Sequence, residues 1–272
     1  MNPAVLVSLP FLGLLLGGFG TFIGAGGGFL FVPMLLLLYP GEAPGALAAI
    51  SLFAVVINSL SGAVAYGRLR RIDYKAGVIL VIGMTPSAIL GALTTRYLSR
   101  DLFQLAFGFL FIALAVYLFF LPGRASLSPN MAVGKGVRSL TDSAGRIFTY
   151  RIYYSYSIAV GFVIGFLGGL LGVGGGPFLV ASMVGFLGFP AQVATGTSQF
   201  SLVLSTLAAV TTHLSDVSLR DVWLRAVLLA VGAVVGAQVG ARLSYRSGSR
   251  LVVRALAVAI LVVGAWLIQA AL

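Results

Sequence analysis

The chain has 272 residues, 60% of them hydrophobic and only 8% charged, with 17 basic residues against 6 acidic ones and a mean hydropathy of +1.09. Soluble domains carry about 25% charged residues, so a soluble enzyme, a disordered chain and a disulfide scaffold are excluded; with no Cys and one His, thiol chemistry is excluded too, and little remains for a metal site. The net charge of +11 does not point to nucleic acid, because every Lys and Arg lies at or beyond Arg68, mostly between apolar runs, as in loops at a membrane surface.

A hydrocarbon core about 30 Å thick takes roughly 20 helical residues per crossing. On that measure the chain divides into eight apolar segments, at about 4–39, 44–66, 76–95, 102–121, 157–187, 190–213, 222–241 and 251–271. The first is too long to signal secretion by a cleaved leader, and no basic region precedes it, so its retention is expected. As one straight helix it would measure about 54 Å, beyond what tilt accommodates, yet it is too short for two crossings. A hairpin broken at a glycine tip is predicted, with irregular backbone inside the membrane where it lines a cavity. Between segments 4 and 5, residues 122–156 form the one long polar stretch, with Arg124, Lys135, Arg138, Arg146 and Arg151 against Asp142. It reads as a basic cytoplasmic linker, a solvated loop without a core, in which deletions within about 125–150 should be tolerated.

The chain also repeats itself. Gly24-Ala25-Gly26-Gly27-Gly28 returns as Gly172-Val173-Gly174-Gly175-Gly176, each after a Gly-rich apolar run. Ala49-Ile50-Ser51-Leu52-Phe53 aligns with Gly196-Thr197-Ser198-Gln199-Phe200, and Gly91-Ala92 with Gly236-Ala237. Residues 1–121 and 157–272 are therefore two units of four segments, a duplication typical of transporters.

Charge then orients the segments. Arg68, Arg70, Arg71 and Lys75 follow segment 2, five basic residues fill the linker, and Arg242, Arg246, Arg250 and Arg254 surround the junction of segments 7 and 8. The positive-inside rule puts these three loops in the cytoplasm and the loops after segments 3 and 6 outside. The predicted fold is an all-α integral membrane protein of two inverted repeats, each opening with a Gly-broken re-entrant hairpin, six full crossings and both termini outside. Labelling is then expected from outside at both termini and from inside at position 135. Eight ordinary spans in parallel repeats are the alternative.

A hairpin tip places a helix N-terminus, with its unpaired N–H groups and partial positive charge, near the middle of the bilayer. Two such ends form an anion site without a basic side chain. Gly26, Gly27, Gly28, Gly174, Gly175 and Gly176 are the candidates for it, joined by Ser51, Asn58, Thr197, Ser198 and Gln199 on the following helices. On this reading Gly175→Val abolishes transport with expression near normal, whereas Gly168→Ala acts on helix packing and stability. The competing reading is that the glycines serve close helix packing, Gly17, Gly20 and Gly24 being spaced for it, and that the hydroxyls bond between helices. His213 closes segment 6 and reads as interfacial rather than as a proton relay; no carboxylate lies inside a crossing, so coupling through one is not visible.

The paired Gly-x-Gly-Gly-Gly motif, the Gly-Thr-Ser element at residues 196–198 and the overall length resemble the sulfite exporter TauE/SafE family of membrane transporters. In the first half Ala49-Ile50-Ser51 replaces Gly-Thr-Ser, which implies unequal contributions to the site. The resemblance implies export of a small sulfur oxyanion or an organosulfonate such as sulfoacetate across the bacterial inner membrane. A passive anion channel is the alternative. The partners expected are the small anion and the lipid bilayer, with room for a homodimer; no nucleic acid, cofactor or metal is called for, and nothing suggests an enzyme.

Overall fold

A computed structural model describes residues 3–94, 97, 100–120, 136–214 and 219–272. The described elements are helices α1 (Pro3–Phe22), α2 (Gly28–Leu38), α3 (Pro44–Arg68), α4 (Tyr74–Thr94) and α5 (Arg100–Phe119), strands β1 (Val137–Thr141) and β2 (Ile147–Arg151), then α6 (Tyr154–Leu170), α7 (Gly176–Gly185), α8 (Ala191–Leu214), α9 (Leu219–Arg246) and α10 (Ser249–Ala271). The two overlong segments are each split at their glycine cluster, into α1–α2 and α6–α7. Helices α2 and α7, 11 and 10 residues long, span about 16 Å each at 1.5 Å per residue, half of a hydrocarbon core.

Among the described residues five helices are long and apolar enough to cross a membrane: Gly45–Arg68, Tyr74–Thr94, Ala191–Thr211, Trp223–Arg246 and Ser249–Ala271. The described apolar part of α5, Gln104–Phe119, falls just below that length. The outward faces carry Phe11, Ile82, Phe109, Val163, Leu207, Val235 and Val262, all exposed. So much contiguous apolar surface suits acyl chains, not water, and the architecture is that of an integral membrane protein.

Glycines decide which helices touch. A Cβ at Gly232, Gly236 or Gly240 would overlap the carbonyl oxygen of Pro10, Leu14 or Gly18, so α9 lies directly against α1, and the numbers rise together: the two helices run parallel. Gly161, Gly165 and Gly169 of α6 face Leu80, Met84 and Ala88 of α4 in the same way. These are small-residue stripes at four-residue spacing, which let backbones approach closely. Helix α3 packs on α8 and α9, α4 also on α8, and α5 on α10. Replacing each segment by its repeat mate turns the α1–α9 pair into α6–α4 and α3–α9 into α8–α4, and maps α3–α8 and α5–α10 onto themselves. The two units are therefore interleaved across one common core rather than standing side by side.

The described part of the linker departs from the expected solvated loop. Strands β1 and β2 pair antiparallel, with Arg138 opposite Tyr150 and Leu140 opposite Phe148. Phe148, Thr149 and Tyr150 are buried. The hairpin docks on the α3–α4 turn, where the Ser143 N–H donates to the Leu69 carbonyl (3.1 Å), and on the end of α9, where Ser143 Oγ meets the Tyr245 hydroxyl (3.0 Å). Residues 147–150 read Ile-Phe-Thr-Tyr, β-branched and aromatic residues that favour strands, so a strand was available to sequence reading; the flanking basic residues masked it. Residues 121–135, including the labelling position 135, lie outside the described residues.

This docking gathers the three loops that carry the positive charge at one end of the molecule. Segment 5 starts and finishes there: Tyr154 follows the hairpin, Lys75 lies over its ring, and Phe189, past α7, packs on Tyr150 at 4.5 Å between ring centroids. At the opposite end Arg225 near the start of α9 meets Glu42 (2.7 Å), beside Tyr39 at the end of α2. Because α1 runs parallel to α9, segment 1 starts and finishes at that second end.

Candidate functional site

The tips are built from left-handed backbone. Gly24, Gly26 and Gly27 have φ of 80°, 73° and 82°, and Gly172, Gly174 and Gly175 have 67°, 72° and 80°. Side-chain-bearing residues resist this region, so the triple glycine stops the first helix and restarts the second. Gly27 and Gly175 are the N-caps of α2 and α7, and neither cap is closed by a side chain. The N–H groups of Gly28 and Phe29, and of Gly176 and Phe178, donate to no backbone carbonyl among the described residues.

The tips press on each other. A Cβ at Gly28 would overlap the Val173 carbonyl, and one at Gly176 the Ala25 carbonyl. Each tip also packs on the opposite unit: Gly24 on Thr195 of α8, and Gly172 on Ala48 of α3. Residues 20–29 and 171–185 are all buried. Two helix N-termini thus converge in the protein's centre, in a closed arrangement.

The polar side chains divide into those that hold the tips and those that are unpartnered. Ser198 Oγ lies 2.7 Å from the Gly24 carbonyl and 2.8 Å from that of Thr195. Asn58 Nδ2 donates to Thr21 Oγ1 (2.9 Å) and to the Gly26 carbonyl (3.0 Å). Ser51 Oγ reaches only to 3.5 Å from the Gly28 carbonyl. Asn58 Oδ1, Ser59 Oγ and both amide atoms of Gln199 have no partner among the described residues, although all three side chains are fully buried. Gln199 and Thr21 both lie against Gly62, and Ser59 against Gly26. The unpartnered atoms therefore cluster around the first tip. Buried polar groups are seldom left unpaired without a reason such as a ligand.

Several expectations shift here. Thr197 turns away from the tips: its Oγ1 accepts the Asp73 N–H at 3.0 Å. Gly27 and Gly175 lie with their amide nitrogens against Gly20 and Gly168 of their own hairpins, and would aim a side chain into those hairpins too, at Phe31 and at Ile164 respectively. A substituent there does not face a cavity. The Gly175→Val variant is accordingly expected to lose folded protein along with transport, because valine resists φ of 80°; activity per folded molecule, measured beside the melting temperature, checks it. Gly168, expected in helix packing, presses instead on the backbone of Gly174 and Gly175, as Gly20 does on Gly27. Of the suggested packing face Gly17 contacts α9 through Ala233 and Gly24, in the tip, contacts α8 through Thr195, whereas Gly20 presses on its own hairpin. The His213 side chain lies outside the described residues.

Sequence reading missed Thr21 and Ser59. Both left a trace: Thr21 is the only hydroxyl between Ser8 and Tyr39, and Ser59 pairs with Thr206 in the repeat alignment that pairs Asn58 with Ser205. The carboxylates whose side chains are described lie at the ends: Glu42, Asp101, Asp73 beneath the hairpin and Asp142 in its turn. No group of three potential metal ligands occurs among the described residues.

Residues 9–267 match the sequence model of the sulfite exporter TauE/SafE family. The probable membrane transporter protein YunE of Bacillus subtilis is 33% identical over 269 residues, 96% of this chain and 97% of its own. A probable membrane transporter protein of Methanocaldococcus jannaschii is 27% identical over 218 residues, 77% of this chain and 74% of its own. No solved structure gives a significant match.

Proposed function

The chain belongs to the sulfite exporter TauE/SafE family, and from that premise we propose that it is a secondary transporter of the inner membrane that exports a small anion, sulfite or an organosulfonate such as sulfoacetate, by alternating access around the two glycine tips. The observation that carries this reading is the meeting of two helix N-termini beside the Ser59 hydroxyl and the Gln199 amide, which have no partner among the described residues. N-terminal N–H groups and amide or hydroxyl donors suit an oxyanion, with the fixed positive charge coming from helix dipoles rather than from a side chain. Gly26, Gly28, Gly174 and Gly176 shape the approach, Ser51 and Ser198 brace the tips, and Thr197 fixes the start of α4. The mutual closure of the tips favours a carrier over an open pore. The interleaved pairing of the units, with the positive loops at one end, supports inverted repeats whose hairpins enter from opposite faces.

Purified protein in liposomes, offered sulfite, sulfoacetate, sulfate and thiosulfate, is expected to move at least one of them against its gradient when an ion gradient is imposed. Flux only down the anion gradient, with channel-like conductance, replaces the carrier by the channel. No flux of any anion removes the reading. Because the chain has no Cys, Ala144→Cys at the exposed hairpin turn serves the orientation: labelling from the cytoplasm is expected, and labelling from outside reverses the topology.

A further inference from the structure

The most deeply buried cation of the described residues lies away from the tips. Arg71 sits in the turn between α3 and α4 with 0% of its side chain exposed. Its Nη2 lies 3.3 Å from Oδ2 of Asp142 and 3.5 Å from the Tyr245 carbonyl. Charge-assisted bonds normally run about 2.7–2.9 Å, so both contacts are slack. Nε and Nη1 have no partner among the described residues. The Tyr245 ring covers the guanidinium at 4.3 Å, and Phe148 of the hairpin stands at 5.9 Å.

Charge is unbalanced here. Asp142 Oδ2 is shared with Arg146, which takes the shorter bond at 2.9 Å. Asp142 Oδ1 accepts the N–H groups of Ala144 and Arg146. Two cations thus share one carboxylate. Burial, with the nearby Arg146 charge adding to it, lowers the pKa of Arg71 against the pull of Asp142; a guanidinium nevertheless stays charged. A buried cation with idle donors and half a counterion is costly to keep unless a further anion can join it.

Polar groups lead inward from this point. Tyr66, near the end of α3, donates its hydroxyl to the Thr21 carbonyl at the first tip (2.9 Å). It lies beside the buried hydroxyl of Ser244. The Arg71 carbonyl itself rests against Gly196, three residues before Gln199.

We infer that Arg71 is a second anion site, a receiving site at the basic end for a small sulfonate, sulfite-type or carboxylate oxyanion, and that the Asp142 carboxylate of the hairpin occupies it until such an anion displaces it. An incoming oxyanion brings two or three acceptor oxygens to Nε and Nη1, where Asp142 offers a single shared one. Displacement of Asp142 removes one of the hairpin's anchors, so substrate arrival loosens the hairpin. What happens to the anion next rests on the transport reading above; its binding at Arg71 does not.

The test uses the full chain in liposomes with Thr149→Cys, a position 8% exposed beneath the hairpin, and a membrane-impermeant maleimide on the hairpin side. Sulfoacetate and methanesulfonate, which do not consume maleimide, are the probes. Either is expected to speed labelling at least tenfold. Adding Asp142→Asn should give the fast rate without anion, and Arg71→Gln or the milder Arg71→Lys should abolish the anion's effect, in protein that still melts cooperatively. Labelling indifferent to both anions overturns the inference, as does an anion response that survives Arg71→Gln and Arg71→Lys. The same vesicles report sulfoacetate flux: flux with indifferent labelling removes the Arg71 site and leaves the transporter, whereas anion-dependent labelling without flux leaves the site and removes the transporter.

Discussion

The Gln199→Leu variant is expected to melt higher than the parent protein and yet to transport its anion at least about tenfold less well. Both halves follow from the same fact. The Gln199 amide is fully buried, and neither its Nε2 nor its Oε1 has a partner among the described residues. Replacing an unsatisfied buried polar group by an apolar one of similar shape is neutral or stabilising. A residue kept at the expense of stability is the mark of a functional site. If the amide donates to the anion, losing that bond to a charged group removes about 1.5–3 kcal/mol, a rise in half-saturation of roughly 10- to 150-fold. Asn58→Leu should behave differently. Its Nδ2 already holds Thr21 and the Gly26 carbonyl, so that variant loses stability as well as transport. Measuring melting temperature and flux on the same preparations separates the cases. A Gln199→Leu protein with unchanged transport would place the binding site elsewhere.

The largest loss of stability is expected from Asp73→Ala, by about 3 kcal/mol, because it leaves the buried Tyr150 hydroxyl without its acceptor and removes a part-exposed ion pair and a helix cap together. Asp73 is 2% exposed. Its Oδ2 accepts from Arg138 Nε at 2.6 Å and from the Tyr150 hydroxyl at 2.7 Å, both on the hairpin. Its Oδ1 accepts the Ala76 N–H at the start of α4 (3.1 Å). Burial, together with the Asp73 charge, holds the Tyr150 phenol well above its ordinary pKa, so it remains a neutral donor with nowhere else to point. Asp73→Asn keeps the acceptor and should lose less. Were residues 137–151 a solvated linker, Asp73→Ala would remove only a helix cap, about 1 kcal/mol, and deletion of the hairpin would be silent. Melting temperatures of the two variants and of the deletion decide this.

Part of this molecule was legible in its sequence. The lengths of the apolar runs give the helices, because a bilayer of fixed thickness admits few alternatives. Glycine runs mark the breaks in segments 1 and 5, because no side-chain-bearing residue readily adopts three left-handed conformations among four consecutive positions. The distribution of Arg and Lys names the three loops that meet at one end. These are local or one-dimensional properties, and physical chemistry acts on them before any fold exists.

The remainder was decided by tertiary structure. Thr197 and Ser198 are adjacent in one motif, but a helix turns about 100° per residue, so one caps α4 while the other braces a tip. Which of 36 glycines pack helices and which shape tips depends on the partner surface: Gly168 and Gly169 are neighbours, and one faces its own hairpin while the other faces Ala88. The β-hairpin was hidden because its strands are stable only on the α3–α4 turn and the end of α9, contacts far away in sequence, and an isolated two-stranded ribbon is marginal at best. Arg71 looked like one more loop cation; only burial under that hairpin, with two donors idle, sets it apart from the other sixteen basic residues, because desolvation is a property of the folded surroundings and not of the residue.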